Sequence, residues 1–294
     1  MLTSINVNLT PELRKIDLYS KRGSAGNLSG SYSSLFKGQG LDFDGYRDYT
    51  QQDDAQLIDW KATLRSNSLL IKVFKEERNV NIVYLFDVSA SMCFSSHEKL
   101  KCEYAAELIS SLAFASIEAG DSVGLVMFSD QIKAFLMPNQ GSEQYFKMVK
   151  MLSLAKNYDG LFDLANCVNF VNNKIPKNSI LIFVSDFIGL PTDWERKLSA
   201  LNYNNEVIAM ITRDPRDDFM PPEKIKVVAG DPYSPKQLYV DPNDISQRYN
   251  AVAKQIKSEI KTVLKKRGID TFEISTTQPY DKALRNFFYS RSKK

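Results

Sequence analysis

The chain has 294 residues, 43% of them hydrophobic and 25% charged, with 38 basic against 35 acidic side chains for a formal net charge of +3. Such proportions are those of a soluble globular protein, and the near balance of charge leaves no electrostatic footprint for nucleic acid or an anionic membrane surface. His97 is the only histidine, and Cys93, Cys102 and Cys167 form no C-x-x-C pair. This removes Ser-His and Cys-His nucleophiles and histidine-rich zinc sites, unless His97 serves them alone, and it points to a reducing compartment, the cytoplasm. The N-terminus has no signal-peptide core, and no apolar run approaches the roughly 20 residues needed to span a bilayer.

The first part of the chain, residues 1–78, differs in texture from the rest and reads as an N-terminal segment of its own. "TPELRKIDLYS" predicts a short helix, with Thr10 as its cap and Pro11 in the first turn. "KRGSAGNLSGSYSSLFKGQG" predicts a loop. "LDFDGYRDYTQQDDAQLIDWKATLRSNSLLIKVFKEE" follows, dense in acids, arginines and aromatics, with "LLIKVFK" as its strand. Its charged residues, Asp42, Asp44, Arg47, Asp48, Asp54, Asp59, Lys61 and Arg65, either lock the segment to the core through ion pairs or form a docking surface. Tyr46 and Trp60 are expected to pack there, as are Phe43 and Leu57.

Residues 79–294 change to a strand–helix–strand rhythm. "VNIVYLF" is a short β-branched run of the kind covered on both faces. A helix is predicted from Lys99 to Ala119, with Leu100, Tyr104, Leu108 and Leu112 four apart and Gly120 as its C-cap. "SVGLVMF" and "IKAFLM" are strands, and helices are expected near 142–154 and 162–173. "SILIFVS" is a buried strand ending at Asp186, followed by a helix that Thr192 and Glu195 would open as a capping box. "EVIAMI" is another strand. The last long helix places Ile245, Tyr249, Val252, Ile256, Ile260 and Val263 at steps of three and four, and "DTFEIST" ends the series. Alternation of this kind over about 200 residues predicts an α/β fold, a mostly parallel sheet with helices on both faces.

In such a sheet ligands sit beyond the C-terminal strand ends. "VYLFDVSASM" puts Asp87 at one such end and Ser89 and Ser91 on the loop behind it. Hard oxygens two residues apart on a turning loop can face one centre, and Mg²⁺ suits them because it accepts a few protein oxygens and keeps several waters. Asp186, directly after "ILIFVS", is the expected second carboxylate. The other reading of Asp87, Ser89 and Ser91 is a hydrogen-bonded cap over the first helix.

"DVSASM" after an apolar strand resembles the metal-ion-dependent adhesion site of von Willebrand factor A domains. "GQGLDFDGYRDYTQQDDAQLIDWKATLRSNSLLIKVFKEER", "GDSVGLVMFSD", "VSDF" and "LYVDP" continue, in order, the pattern of a bacterial von Willebrand A-like family known as domain of unknown function fifty-eight. The resemblance spans roughly residues 20–250. It implies a Rossmann-like core with an N-terminal extension packed on it, and company with MoxR-type AAA+ ATPases, which such proteins are thought to serve as adaptors. It also implies that Asp87, Ser89 and Ser91 form the first metal loop, with Asp186 in the later carboxylate role. One position departs from the pattern: where the family has a Thr ligand, "GLFDLANC" has Phe162, which cannot coordinate, and Asp159 and Asp163 are the carboxylates beside it.

The expected function is therefore a non-catalytic interaction module, in which a bound metal keeps a position open for a partner's carboxylate. A Mg²⁺-dependent phosphatase or phosphotransferase on a similar sheet needs a second Asp two residues after the first, where this chain has Ser89. "GQGLDFDG" has Phe43 where a dinucleotide fingerprint has its third glycine, and no P-loop is present.

Overall fold

A computed structural model of the chain describes residues 4–7, 42–50, 53–54, 58–66, 68–75, 80–222, 226–280 and 284. The helix expected at Thr10, the loop over 21–40, and Leu57 lie outside the described residues. The chain divides into two compact units, residues 36–80 and the remainder.

In the smaller unit, β1 (Asp42–Asp48) pairs antiparallel with β2 (Leu70–Lys75), and α1 (Trp60–Ser66) lies between them in sequence. Asp59 opens α1 by accepting from the amides of Lys61 and Ala62 at 3.0 and 3.2 Å, and it pairs with Lys72 at 3.1 Å. Arg47 grips Asp53 through two bonds of 2.7 and 2.6 Å, and Thr50 gives the same carboxylate two more. Those donors, the guanidinium first, hold Asp53 well below the usual carboxylate range. The expected packing of Tyr46 and Trp60 is corrected: they are 46% and 63% exposed, and Tyr46 turns its hydroxyl to Asp59.

The larger unit is the expected α/β fold, a sheet in the order β10-β7-β6-β3-β4-β5. In chain order β3 (Asn81–Asp87), α2 (Lys101–Glu118), β4 (Ser122–Phe128) and β5 (Ile132–Asn139) come first. Then follow α3 (Ser142–Leu152), α4 (Leu164–Lys174), β6 (Ile180–Ser185), α5 (Trp194–Asn204) and β7 (Glu206–Arg213). The short α6 (Pro215–Asp218), the hairpin β8 (Val227–Gly230) and β9 (Gln237–Val240), α7 (Pro242–Lys266) and β10 (Asp270–Ser275) complete it. Every pairing in the sheet is parallel except β5 on β4.

The two faces of the sheet are covered by different helices because alternate residues of a strand point opposite ways. Val83, Leu85, Val126, Leu181, Phe183, Val207 and Ala209 share one core with Leu164 and Val171 of α4, Leu198 and Leu201 of α5, and Ile260 and Leu264 of α7. On the other face Tyr84 reaches Ser116 of α2, and Phe86 meets Tyr158 edge-on. α2 is buried nearly all round, and its buried charged side chains, Lys101, Glu103 and Glu107, each have a polar partner. Glu107 takes Lys99 at 2.7 Å, and Glu103 accepts from the amide of Leu100 at 2.9 Å. Gly120 ends the helix with φ +90°, the left-handed C-cap predicted for it.

Two sequence expectations differ from the fold. The N-cap of α5 is Asp193 without a side-chain cap bond, not Thr192, because Asp193 is drawn to Lys197 at 2.8 Å and Glu195 to Arg267 at 3.4 Å. Along α7 only the C-terminal part of the apolar stripe enters the core, and Val252 and Ile256 remain 47% and 46% exposed.

The connection from α3 to α4 positions the loop after β3. Gly160 adopts φ +106°, and its carbonyl accepts from the Ala90 amide at 2.9 Å. A Cβ there would stand 2.2 Å from Asp130 Oδ1 and 2.7 Å from Ser129 Oγ. Gly160→Ala is therefore expected to cost about 1–3 kcal/mol, read as a lower midpoint in urea denaturation; an unchanged midpoint would show that the loop has another anchor.

Candidate functional site

The sheet order places β3 next to β6, with β4 on its other side. The chain winds first one way and then the other from β3, so the crevice at the ends of β3 and β6 is the topological switch point. Phe86 pairs with Val184, which brings Asp87 level with Ser185 and Asp186. All three are fully buried, as is Ser89, and Ser91 is nearly so.

Asp87 is held by neutral donors. Its Oδ1 accepts from the Ser89 amide at 2.9 Å and its Oδ2 from the Ser185 hydroxyl at 2.7 Å. Ser89 Oγ lies 3.4 Å from Ser91 Oγ, at the mouth of the 3₁₀ turn Ala90–Cys93. Burial, and then the charge of Asp186, push the Asp87 carboxyl up to about 7, partly offset by the Ser185 and Ser89 donors. Asp87, Ser89 and Ser91 are thus brought together as the sequence predicts.

Asp186 has a different partner. Lys101, at the first residue of α2 and 1% exposed, places Nζ 2.7 Å from Asp186 Oδ2 and 2.9 Å from Asp217 Oδ2. The other Asp186 oxygen accepts from the Ile188 amide at 2.9 Å. Burial alone would pull the Lys101 ammonium down, but Asp186 and then Asp217 outweigh it and hold it above the usual lysine value. Phe187, next in the chain, has the left-handed φ of +54°, strained for a bulky side chain. Its ring is clamped edge-on by Phe183 and Trp194, and its amide donates to Ser185 Oγ at 3.1 Å. The strained turn keeps Asp186 aimed at Lys101.

Phe162, half-buried, packs against the core beside Phe128, at 6.0 Å between ring centroids. The two neighbouring carboxylates are otherwise engaged: Asp163 caps α4 through the amides of Ala165 and Asn166, and Asp159 accepts from Gly160. Among the described residues no three His, Cys, Asp or Glu side chains gather as a metal centre. Any cation at this site would therefore depend on the serine hydroxyls.

Four participants were not identified from sequence. Lys101 falls inside the predicted helix, and nothing in the sequence sets it apart from Lys99 two residues before. Ser185 and Asp217 carry no local signal. Tyr233 lies in the turn between β8 and β9, and its hydroxyl stands 3.4 Å from Ser89 Oγ while its ring covers Gly189. Asp231 holds this turn by accepting from the Tyr233 amide at 3.0 Å and the Ser234 hydroxyl at 2.6 Å.

His97 is half-exposed, and its surroundings do not form a relay. Ser96 Oγ lies 2.9 Å from His97 Nδ1, but the same hydroxyl donates directly to Asp214 Oδ1 at 2.7 Å. The acid thus meets the hydroxyl rather than the far nitrogen of the ring, the reverse of a nucleophile–base–acid order.

No described helix is long and apolar enough to cross a membrane. An uncharacterized protein of Mycobacterium tuberculosis (strain ATCC 25618 / H37Rv) is 24% identical over 215 residues, 72% of this chain and 68% of that one. Among solved structures, the conserved hypothetical protein BatB from Bacteroides thetaiotaomicron is 13% identical, with a TM-score of 0.45 over 73% of this chain and 100% of that one. A von Willebrand factor type A protein from Catenulispora acidiphila is 11% identical, with a TM-score of 0.38 over 76% of this chain and 44% of that one. Residues 45–259 match the family described as protein of unknown function DUF58, and the chain belongs to that family.

Proposed function

We propose that the protein is a non-catalytic adaptor that docks a protein partner at the C-terminal ends of β3 and β6. Mg²⁺ held by Asp87, Ser89 and Ser91 would leave a position open for a carboxylate of the partner. The observation that carries this reading is the unequal pairing of the two buried carboxylates. Asp186 has a cation in Lys101, whereas Asp87 is fully buried with hydroxyl and amide donors alone. A hard divalent ion supplies the missing charge, and the 3.4 Å between the serine hydroxyls is close to the roughly 3 Å edge of an octahedron with 2.1 Å bonds. Asp186, engaged by Lys101 and the Ile188 amide, would act on such an ion through its charge and would not be the group that seats it.

A docking role also agrees with the chemistry around the site. Among the described residues no nucleophile there is paired with an ordered base, and the phosphotransfer pattern lacks its second Asp at position 89. By the family resemblance, the partner machinery is a MoxR-type AAA+ ATPase, so any nucleotide hydrolysis would belong to the partner. Tyr233 covers Ser89 and must give way when a partner's carboxylate approaches.

In a thermal-shift experiment, Mg²⁺ at about 100 times its dissociation constant should stabilise the wild type by ~2.7 kcal/mol, and Asp87→Ala should remove that response. Equal responses from the two proteins would refute the cation seat. A pull-down with the MoxR-type ATPase should recover it in Mg²⁺ and lose it in EDTA or with Asp87→Ala, while Tyr233→Ala increases recovery. Recovery of no ATPase under any condition would refute the partner. Lys101→Met leaves Asp186 and Asp217 buried without their cation and should cost about 3–5 kcal/mol in urea denaturation; a loss below 1 kcal/mol would contradict the account of Asp186.

A further inference from the structure

A second concave surface lies on the larger unit, a groove of about 650 Å³ between α7 and the segment that follows β6. Phe187, Leu190, Trp194, Tyr249, Val252 and Ile256 give it apolar walls, with Arg213 among its lining. Arg213 is the last residue of β7 and is 6% exposed. Its Nε is buried without a hydrogen-bond partner, and no carboxylate among the described residues lies within ion-pair distance of the guanidinium. Asp217, in the same groove, gives its carboxylate to Lys101 at 2.9 Å. A buried guanidinium without an anion is costly, and the cost falls when an anion arrives from outside.

We propose that this groove receives an amphipathic helix of a protein partner, with its apolar face on Val252 and Ile256 and one carboxylate on Arg213. The residues of α7 that line the groove run from Tyr249 to Val263, about 21 Å at 1.5 Å per residue, which suits a helix lying alongside. Val252 and Ile256 are four apart and exposed, the anchors of a helix-in-groove contact. Arg213 sets the sign of the polar contact. The remaining acids select a single carboxylate rather than an acidic tract: Glu195 pairs with Arg267, and Glu259 accepts from Gln255 at 2.8 Å at the rim. This deepens the docking reading above but uses neither the Asp87 loop nor a metal.

The test is to pan a phage-displayed random library of about 16-residue peptides, a length of roughly 24 Å as helix, on the full chain. Enriched peptides are then synthesised with fluorescein and measured by anisotropy. They should carry apolar residues at helical spacing and one Asp or Glu. Their affinity should fall roughly tenfold or more with Arg213→Met, with Ile256→Glu, or with Gln at the peptide's acid, and should not change with Asp87→Ala or EDTA. Arg213→Met should not lower the melting temperature, because it removes an unpaired buried charge. Absence of such peptides, binding indifferent to Arg213→Met, or a destabilised Arg213→Met protein would overturn the proposal. Binding lost with Asp87→Ala and retained with Arg213→Met would place docking at the strand ends and remove the groove from it.

Discussion

The ion triad of Lys101, Asp186 and Asp217 is the constraint on which the rest of the site depends. It joins the start of α2, the end of β6 and α6, three segments far apart in sequence, through two bonds shorter than 3 Å made by one fully buried ammonium. Lys101 thus serves two carboxylates at once, and the next acid, Asp87, lies level with Ser185 and Asp186 at the neighbouring strand end. A buried pair of this kind contributes less to net stability than to arrangement, since desolvation offsets much of the attraction. What it secures is direction: Asp186 faces α2, and Asp87 faces the serine loop.

Because Lys101 satisfies one acid, the two strand-end carboxylates are not equivalent. Asp87 keeps its place through Ser185 and the Ser89 amide, donors that orient a carboxylate without neutralising it. The hydroxyls of Ser89 and Ser91 complete a small hard-oxygen surface, and Tyr233 lies over it. Phe162, where the family pattern has a coordinating Thr, packs against the core beside Phe128. On the reading proposed above, the surface that remains would hold a cation and a partner's anion.

Much of the fold was legible because the signals are strong and local. The runs "IVYLF", "VGLVMF" and "ILIFVS" are β-branched and flanked by polar turns, and they became the central strands with ends near the predicted residues. Asp87, Ser89 and Ser91 were legible for the same reason, since one short loop carries all three. Lys101 and Asp217 were not, because their pairing is a product of topology: 116 residues separate them and only the closed sheet brings them together. The stripe on α7 misled in another way. Periodicity reports which face is apolar but not what covers it, so Val252 and Ile256 read as core while they line a groove. Trp60 likewise read as packed because an aromatic usually is.

On the proposed function, Asp87 and not Asp186 would seat the cation. Titrating Mn²⁺, a paramagnetic stand-in for Mg²⁺, and counting the bound ion by electron paramagnetic resonance tests it directly in wild type, Asp87→Asn and Asp186→Asn. One bound ion is expected in the wild type, none with Asp87→Asn, and one with Asp186→Asn despite its lowered stability. A bound ion that survives Asp87→Asn and is lost with Asp186→Asn would contradict it.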